Sequence, residues 1–297
     1  MSIATDEREQ RNAVFQAAYA PPGGLSAPGM PAVSAVEQLK ADFGGLELPS
    51  EVVPLPSLGL AYDRTHPWAN ADRVEIKGMT AREEDILTSR AFLKKGTVIT
   101  ELIRSCLVDN RVDPSSLLAG DRNALVVAIR ITGYGAEYEA EVDCAACGER
   151  TPAVFDLGQL PLRPLAIRPI EENKNLFAFT LPRSGKKVCF RFLTGKDEQD
   201  ITATAEQQRK LALGGDQVVT TNLLHSIVSI EGVTDRAKIA SFVRNGMRAG
   251  DSLALRSFIK ESEPGIQMRQ AVECRKCGAS EEVDMPMGVK FLWPHAG

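Results

Sequence analysis

Four of the six cysteines in this 297-residue chain form two CxxC pairs, and a glycine follows each pair. The pairs lie in Cys144–Gly148 and Cys274–Gly278, between short segments in which apolar and polar residues alternate. This pattern is typical of a tight turn at the tip of a β-hairpin. The glycine permits a positive φ, which turns backbone N–H groups toward the cysteine sulfurs. Cysteines in such a turn are favourable metal ligands.

Two such hairpins provide the four thiolates of a closed tetrahedral zinc site. The four predicted zinc ligands are Cys144, Cys147, Cys274 and Cys277. A site with four protein ligands has no open position for water or substrate, so we expect the zinc to stabilise the fold and to take no part in a reaction. The other cysteines, Cys106 and Cys189, lie in apolar runs and are predicted to be packing residues.

The spacing between the two pairs leaves other interpretations open. The 126 residues 148–273 separate them, whereas roughly 15–20 residues separate the pairs of a compact zinc ribbon. The hairpins must therefore meet across an inserted segment. A redox CxxC normally lies at a helix N-terminus, but these pairs lie between predicted strands. Disulfides are typical of exported proteins, and the first residues lack the basic start and apolar core of a secretory signal.

Composition and motifs argue against several functional classes. The net charge of −4 differs from the basic footprint of most nucleic-acid-binding proteins. No stretch approaches the roughly 18 apolar residues of a membrane span. The chain has three histidines and no phosphate-binding glycine loop, HExxH or GxSxG motif. We therefore predict a protein that is not an enzyme, with no small-molecule substrate, no membrane span and no nucleic-acid partner.

The elements that position the cysteines indicate an α+β fold. We expect helical units and two zinc-knuckle β-hairpins that form a split zinc ribbon, preceded by an extended N-terminal arm. The predicted parts are a proline-rich arm (1–62), an N-terminal helical unit (63–135), a β-rich zinc-knuckle domain (136–194 and 264–297) and a helical insert (195–263).

The predicted arm combines proline-rich and apolar sequence. Short helices are predicted at 6–18 and 32–42, and Pro21–Pro31 separates them because proline and glycine interrupt regular structure. The run Leu48–Tyr62 is extended and too apolar for a simple linker. We expect it to lie on another surface, either its own domain or a neighbouring subunit. The alternative is a loose leader.

Local signals also predict individual helices. Thr80 begins a capping box, and the helix that follows is predicted to continue to about Lys95. Asp121 is predicted to cap a helix over 122–131. A further helix is predicted over 218–230, within the insert.

Several segments resemble one known family. They are Met79–Leu87, Lys94–Val98, Gly120–Leu125, Ile131–Tyr138 and Cys144–Gly148, with Leu55–Tyr62 before them and Phe291–Pro294 after them. In this order they resemble the T4-type bacteriophage baseplate proteins, a family that includes hub-associated baseplate proteins of contractile-tailed phages. The resemblance covers about residues 50–294.

The resemblance implies a structural virion component, made in the bacterial cytoplasm and built into the tail baseplate. Its partners would be other baseplate subunits, which we expect the N-terminal arm and the C-terminal tail to contact. One alternative is a zinc-ribbon protein that binds nucleic acid through Arg275 and Lys276. Another is an assembly chaperone that is absent from the finished virion.

Overall fold

A computed structural model describes residues 50–210, 217–286 and 289–292. The helices predicted at 6–18 and 32–42, and the C-terminal tail after residue 292, lie outside the described residues. Within them the fold mixes helices with small antiparallel sheets, as the α+β prediction expected. No helix in these ranges is both long and apolar enough to cross a membrane.

The described strands form five small sheets. Their bounds are β1 (Ser50–Pro54), β2 (Arg73–Lys77), β3 (Glu137–Asp143), β4 (Arg150–Asp156), β5 (Leu162–Arg163), β6 (Phe177–Thr180), β7 (Lys187–Phe190), β8 (Ile227–Ile230), β9 (Gly265–Ile266), β10 (Arg269–Glu273) and β11 (Ser280–Asp284). One sheet has three strands in the order β6-β7-β8. The others are the antiparallel pairs β1-β2, β3-β4, β5-β9 and β10-β11.

Nine α-helices lie within the described residues. They are α1 (Ala81–Thr88), α2 (Arg90–Lys95), α3 (Val98–Cys106), α4 (Ala119–Tyr134), α5 (Gly195–Lys210), α6 (Val218–Ser226), α7 (Arg236–Ser241), α8 (Ala249–Ser262) and α9 (Val289–Leu292). A π-helical turn, Phe242–Gly246, continues α7.

A hydrophobic core joins these elements. Ile76 of β2, Leu102 of α3, Ile129 of α4 and Phe190 of β7 are all fully buried in it. Leu55, which directly follows β1, is also fully buried. The described part of the predicted arm, residues 50–62, therefore packs on its own domain, which is one of the two surfaces that its apolar sequence predicted.

A buried carboxylate holds the segment after β1. The oxygens of Asp121 accept hydrogen bonds from the Ser57 N–H (2.9 Å), the Ser57 hydroxyl (2.6 Å) and the Tyr62 hydroxyl (2.6 Å). The prediction that Asp121 caps a helix is wrong, because α4 begins at Ala119 and Asp121 lies in its first turn. Its partners are 59 and 64 residues earlier in the chain, so local sequence could not indicate them.

Two predicted helices end earlier than expected. The capping box at Thr80 is present, but α1 ends at Thr88. The Thr88 hydroxyl donates to the carbonyls of Glu84 and Asp85, and so it competes with the hydrogen bonds that would continue the helix. The helix predicted over 218–230 ends at Ser226, and the β-branched residues that follow form β8. Because β8 pairs with β7, the predicted helical insert contributes a strand to the three-stranded sheet.

A second acidic side chain anchors α5 to this sheet. Asp197 accepts two hydrogen bonds from Arg191 (2.6 and 2.7 Å) and one from the Thr194 hydroxyl (2.7 Å), and His225 lies 3.3 Å away. Burial alone would raise the pKa of Asp197, but the bonds from Arg191 and Thr194 outweigh it and hold this pKa well below its ordinary value.

We predict that Asp121→Asn lowers the free energy of unfolding by about 3 kcal/mol, because an amide NH₂ would face buried donors. Tyr62→Phe removes one donor and leaves the Leu118 N–H without its acceptor, but it keeps the carboxylate, so its cost should be smaller, about 2 kcal/mol. Urea unfolding monitored by circular dichroism measures both changes. Equal unfolding free energies for Asp121→Asn and the wild type would show that the carboxylate does not hold this segment.

Asp197→Asn should destabilise the protein at pH 7 by about 1–3 kcal/mol, since Arg191 would lose an ionised partner. The depressed pKa stabilises the fold above the ordinary carboxyl pKa of about 4, and this contribution is lost as the pH falls further. The difference from wild type should therefore shrink below about pH 4. Unfolding curves from pH 7 to pH 3 test this, and a constant difference would contradict it.

Candidate metal centre

The two CxxC pairs form the same turn in two separate hairpins. In the turn between β3 and β4, the Gly148 N–H donates to the Cys144 carbonyl at 2.8 Å. In the turn between β10 and β11, the Gly278 N–H donates to the Cys274 carbonyl at 2.9 Å. Both glycines have φ +70°, with open space where a Cβ would stand. Backbone conformation, not crowding, therefore requires glycine here, as the sequence predicted.

The hairpins meet at their tips and bring the four cysteines together. Cys144 Sγ lies 3.7 Å from Cys277 Sγ, and Cys147 Sγ lies 3.7 Å from Cys274 Sγ. All four sulfurs are within 4.8 Å of one another. Sulfurs at the corners of a tetrahedron with Zn–S bonds of roughly 2.3 Å would be roughly 3.8 Å apart. The four cysteines thus lie close enough to bind one metal ion.

Contacts between the hairpins maintain this approach. The Thr151 hydroxyl donates to Cys274 Sγ at 3.3 Å, and the Ala145 N–H donates to the Glu281 carboxylate at 3.1 Å. Lys276 and Glu149 form an ion pair across the tips at 2.5 Å. Thr151 and Glu281 were not predicted from the sequence, because their role depends on a contact between segments more than a hundred residues apart. The CxxCG pattern itself carries no signal for them.

The surroundings of the sulfurs favour a thiolate at Cys274 and a thiol at Cys147. The Thr151 hydroxyl and the backbone N–H groups of Cys277 and Lys276 lower the pKa of Cys274 to about 6. The Glu149 N–H favours the thiolate of Cys147, but desolvation and the neighbouring sulfurs outweigh it and raise its pKa to about 12. Four thiolates at this separation would repel one another, and a divalent cation between them would reduce that repulsion.

The site has little space for anything larger than a metal ion. The cavity between the hairpins, lined by Val142, Thr151, Val272 and Val283, has a volume of about 10 Å³. A single water needs about this much space. Cys144 and Cys274 are buried, whereas Cys147 and Cys277 are exposed at the tip. Solvent can therefore reach the site from one side.

The remaining cysteines and the described histidines lie outside this cluster. Cys106 is buried in α3, and burial raises its pKa to about 12. Cys189 is half-buried in β7. The Nδ1 atom of His66 accepts the Trp68 N–H at 3.1 Å, and His225 faces Asp197. Across the described ranges, the four clustered cysteines are the one group of side chains whose positions suit a metal ion.

Comparison with known proteins adds one match. Residues 61–293 match the family model described as T4 bacteriophage base plate protein. No curated protein and no solved structure matches the chain. The match begins at the end of the Leu55–Tyr62 segment and includes both cysteine hairpins.

We predict one zinc ion per chain, and its loss in Cys144→Ser and in Cys277→Ser. Because a structural metal contributes folding free energy directly, each variant should lose on the order of 5 kcal/mol or more of unfolding free energy. Elemental analysis and thermal unfolding measure the two effects. Cys189→Ser, outside the cluster, is the matched control and should keep its zinc. Metal-free wild type, or Cys144→Ser that unfolds at the wild-type temperature, would contradict the assignment.

Proposed function

The chain belongs to the T4 bacteriophage base plate protein family, and we propose that it is a structural component of a contractile phage tail baseplate. The family match over residues 61–293 supports this role, since it covers most of the chain. Membership of this family implies a location in the virion tail baseplate and contacts with other baseplate proteins. We further propose that the protein is made in the bacterial cytoplasm, where reduced thiols are available to bind a metal.

The cluster of four sulfurs is the structural observation that carries the proposed mechanism. Cys144 and Cys147 precede the 126-residue excursion 148–273, and Cys274 and Cys277 follow it. A bound Zn²⁺ would supply four bonds to sulfur, and those bonds would close the excursion into a loop. Closing a long loop removes conformations from the unfolded chain, which stabilises the folded state.

This cross-link would also fix the direction in which the excursion leaves the hairpins. The excursion contains the sheet β6-β7-β8 and helices α5 to α8. Tyr138 of β3 reinforces the same junction, since its hydroxyl donates to the Pro286 carbonyl at 2.6 Å and its ring packs against Phe291 at 5.1 Å. In our proposal the metal holds these elements in the geometry that neighbouring subunits recognise.

We assign the assembly contacts to the two ends of the chain. Of the predicted arm, residues 50–62 are already packed on their own domain, with Leu55 and Tyr62 buried. The proposed partner-binding part is therefore the segment before Ser50, together with the tail after Leu292. Ordering of these segments on neighbouring subunits would couple binding to folding.

The proposed role is not enzymatic. The four sulfurs would complete the coordination of a tetrahedral ion, which leaves no position for a water nucleophile. The described His–Asp pair, His225 and Asp197, is also unsuited to catalysis, because Arg191 and Thr194 occupy the carboxylate. We propose protein–protein recognition as the activity of this chain.

Two alternatives make different predictions. A nucleic-acid-binding zinc ribbon would use Arg275 and Lys276 at the hairpin tip as free cations. Arg275 is exposed, but Lys276 is paired with Glu149 and the outward face of β3 carries Glu139 and Glu141. Salt-dependent binding of DNA in a shift assay would support that alternative. An assembly chaperone would be absent from purified virions, whereas we expect protein analysis of virions to find this chain.

Deletion of residues 1–45 should leave a folded protein that binds zinc but fails to join baseplates. The expected readouts are an unchanged circular dichroism spectrum, unchanged zinc content and no incorporation when the variant replaces the wild-type protein during infection. Replacing residues 1–45 by a Gly/Ser-rich segment of equal length is the matched control, and it should fail in the same way. Normal incorporation of the truncated protein would show that the arm is dispensable.

A further inference from the structure

Helix α2 (Arg90–Lys95) lies on the surface with an uncovered apolar side. None of its six side chains is buried. Leu93 is 54% exposed, whereas Phe92 is partly buried. Neither residue belongs to the hydrophobic core of the described residues, although their neighbours Leu87 and Ile99 pack against it. More than half of the Leu93 surface therefore gains no packing from the chain's own fold.

Backbone hydrogen bonds define the start and the end of α2. The Leu93 N–H donates to the Ser89 carbonyl, and the helix ends where Gly96 and Thr97 donate to the carbonyls of Leu93 and Phe92, at 3.1 and 3.0 Å. Gly96 has φ +66°, the left-handed conformation usual after a helix. Since a six-residue helix has little stability without packing, a partner that covers Leu93 would also stabilise α2.

Cations surround this apolar surface. Arg90, Lys94 and Lys95 are exposed, and we call them, with Phe92 and Leu93, the α2 patch. Beside it, a groove of about 300 Å³ runs between α2 and α5, with Ile99 at its base. On the α5 side of the groove Glu198 faces the chain's own Arg122 at 3.7 Å. The positive charge of the groove is therefore on the α2 side.

The outward face of the β3-β4 hairpin has the complementary character. Glu139 and Glu141 of β3 point to solvent, while Tyr138 and Val142 on the other face are buried. Val154 of β4, which pairs with Glu139 across the hairpin, is 61% exposed. Arg150 of β4 lies on the same face and forms ion pairs with Glu141 at 4.0 Å and Asp143 at 3.3 Å, but carboxylates outnumber it there. This face thus places one exposed apolar side chain among mostly acidic residues, as the α2 patch places Leu93 among cations.

We propose that the α2 patch of one copy of this chain docks on the outward β3-β4 face of a second copy. Phe92 and Leu93 would cover Val154, while Lys94 and Lys95 would face Glu139 and Glu141. Both surfaces are exposed in the single chain, so they do not cover each other within one copy. Because the two surfaces differ, repetition of this contact builds a ring or a row of copies rather than a two-fold pair. None of the four clustered cysteines takes part in this contact.

Analytical ultracentrifugation of the full-length, zinc-loaded protein tests this contact. We expect association that strengthens with protein concentration and weakens as salt is raised. Lys94→Glu/Lys95→Glu should weaken association at least about tenfold, since like charges would then face each other. Glu139→Lys/Glu141→Lys should do the same. Lys238→Glu/Lys260→Glu reverses two exposed lysines elsewhere and should leave association unchanged.

Mixing the two patch variants distinguishes this contact from a general effect of charge. The acidic α2 patch of one variant is complementary to the basic hairpin face of the other, so an equimolar mixture should associate although each variant alone does not. Circular dichroism and zinc content confirm that each variant is folded. A wild type that stays monomeric at all concentrations, or association that neither double variant weakens, would overturn the contact. Incorporation of such a monomer into baseplates would leave the proposed function intact.

Discussion

The convergence of four cysteine sulfurs is the constraint on which this architecture depends. Two hairpin tips place the sulfurs within 4.8 Å of one another, a separation at which thiolates repel unless a cation lies between them. Three polar contacts already join the hairpin tips. A metal ion bound among the sulfurs would offset their repulsion and would link both ends of the excursion 148–273.

Two buried carboxylates also connect separate segments of the described fold. Asp121 joins the segment after β1 to α4, and Asp197 joins the end of β7 to α5. In each case an acidic side chain on a helix accepts hydrogen bonds from a segment that has little regular structure of its own. Burial makes loss of these bonds costly, so each carboxylate fixes the position of its segment. Segments held in this way suit a protein whose proposed activity is recognition of neighbouring subunits.

The features that were predictable from sequence are those whose physical cause is local. The glycine after each CxxC pair indicates a turn with positive φ, and Thr80 with Glu83 indicates a helix start; both are present. The grouping of the four cysteines was also expected, because their shared pattern implies a shared ligand. The ordered segments Met79–Leu87 to Cys144–Gly148 were enough to indicate the family.

The features that sequence did not reveal depend on distant partners. Asp121 resembles a helix cap until Ser57 and Tyr62 are placed beside it. Ile227–Ile230 continues an apolar pattern that suits a helix or a strand, and only pairing with β7 decides between them. Thr151 contacts Cys274 because two hairpins meet, an event with no trace in either hairpin's sequence.

X-ray absorption spectroscopy at the zinc edge of the purified protein tests the central claim most directly. It reports the number, type and distance of the atoms bound to the metal, independently of any effect on folding. Our account predicts four sulfurs at roughly 2.3 Å and no nitrogen or oxygen in the first coordination shell. Protein without zinc, or zinc with bound oxygen and fewer than four sulfurs, would contradict it.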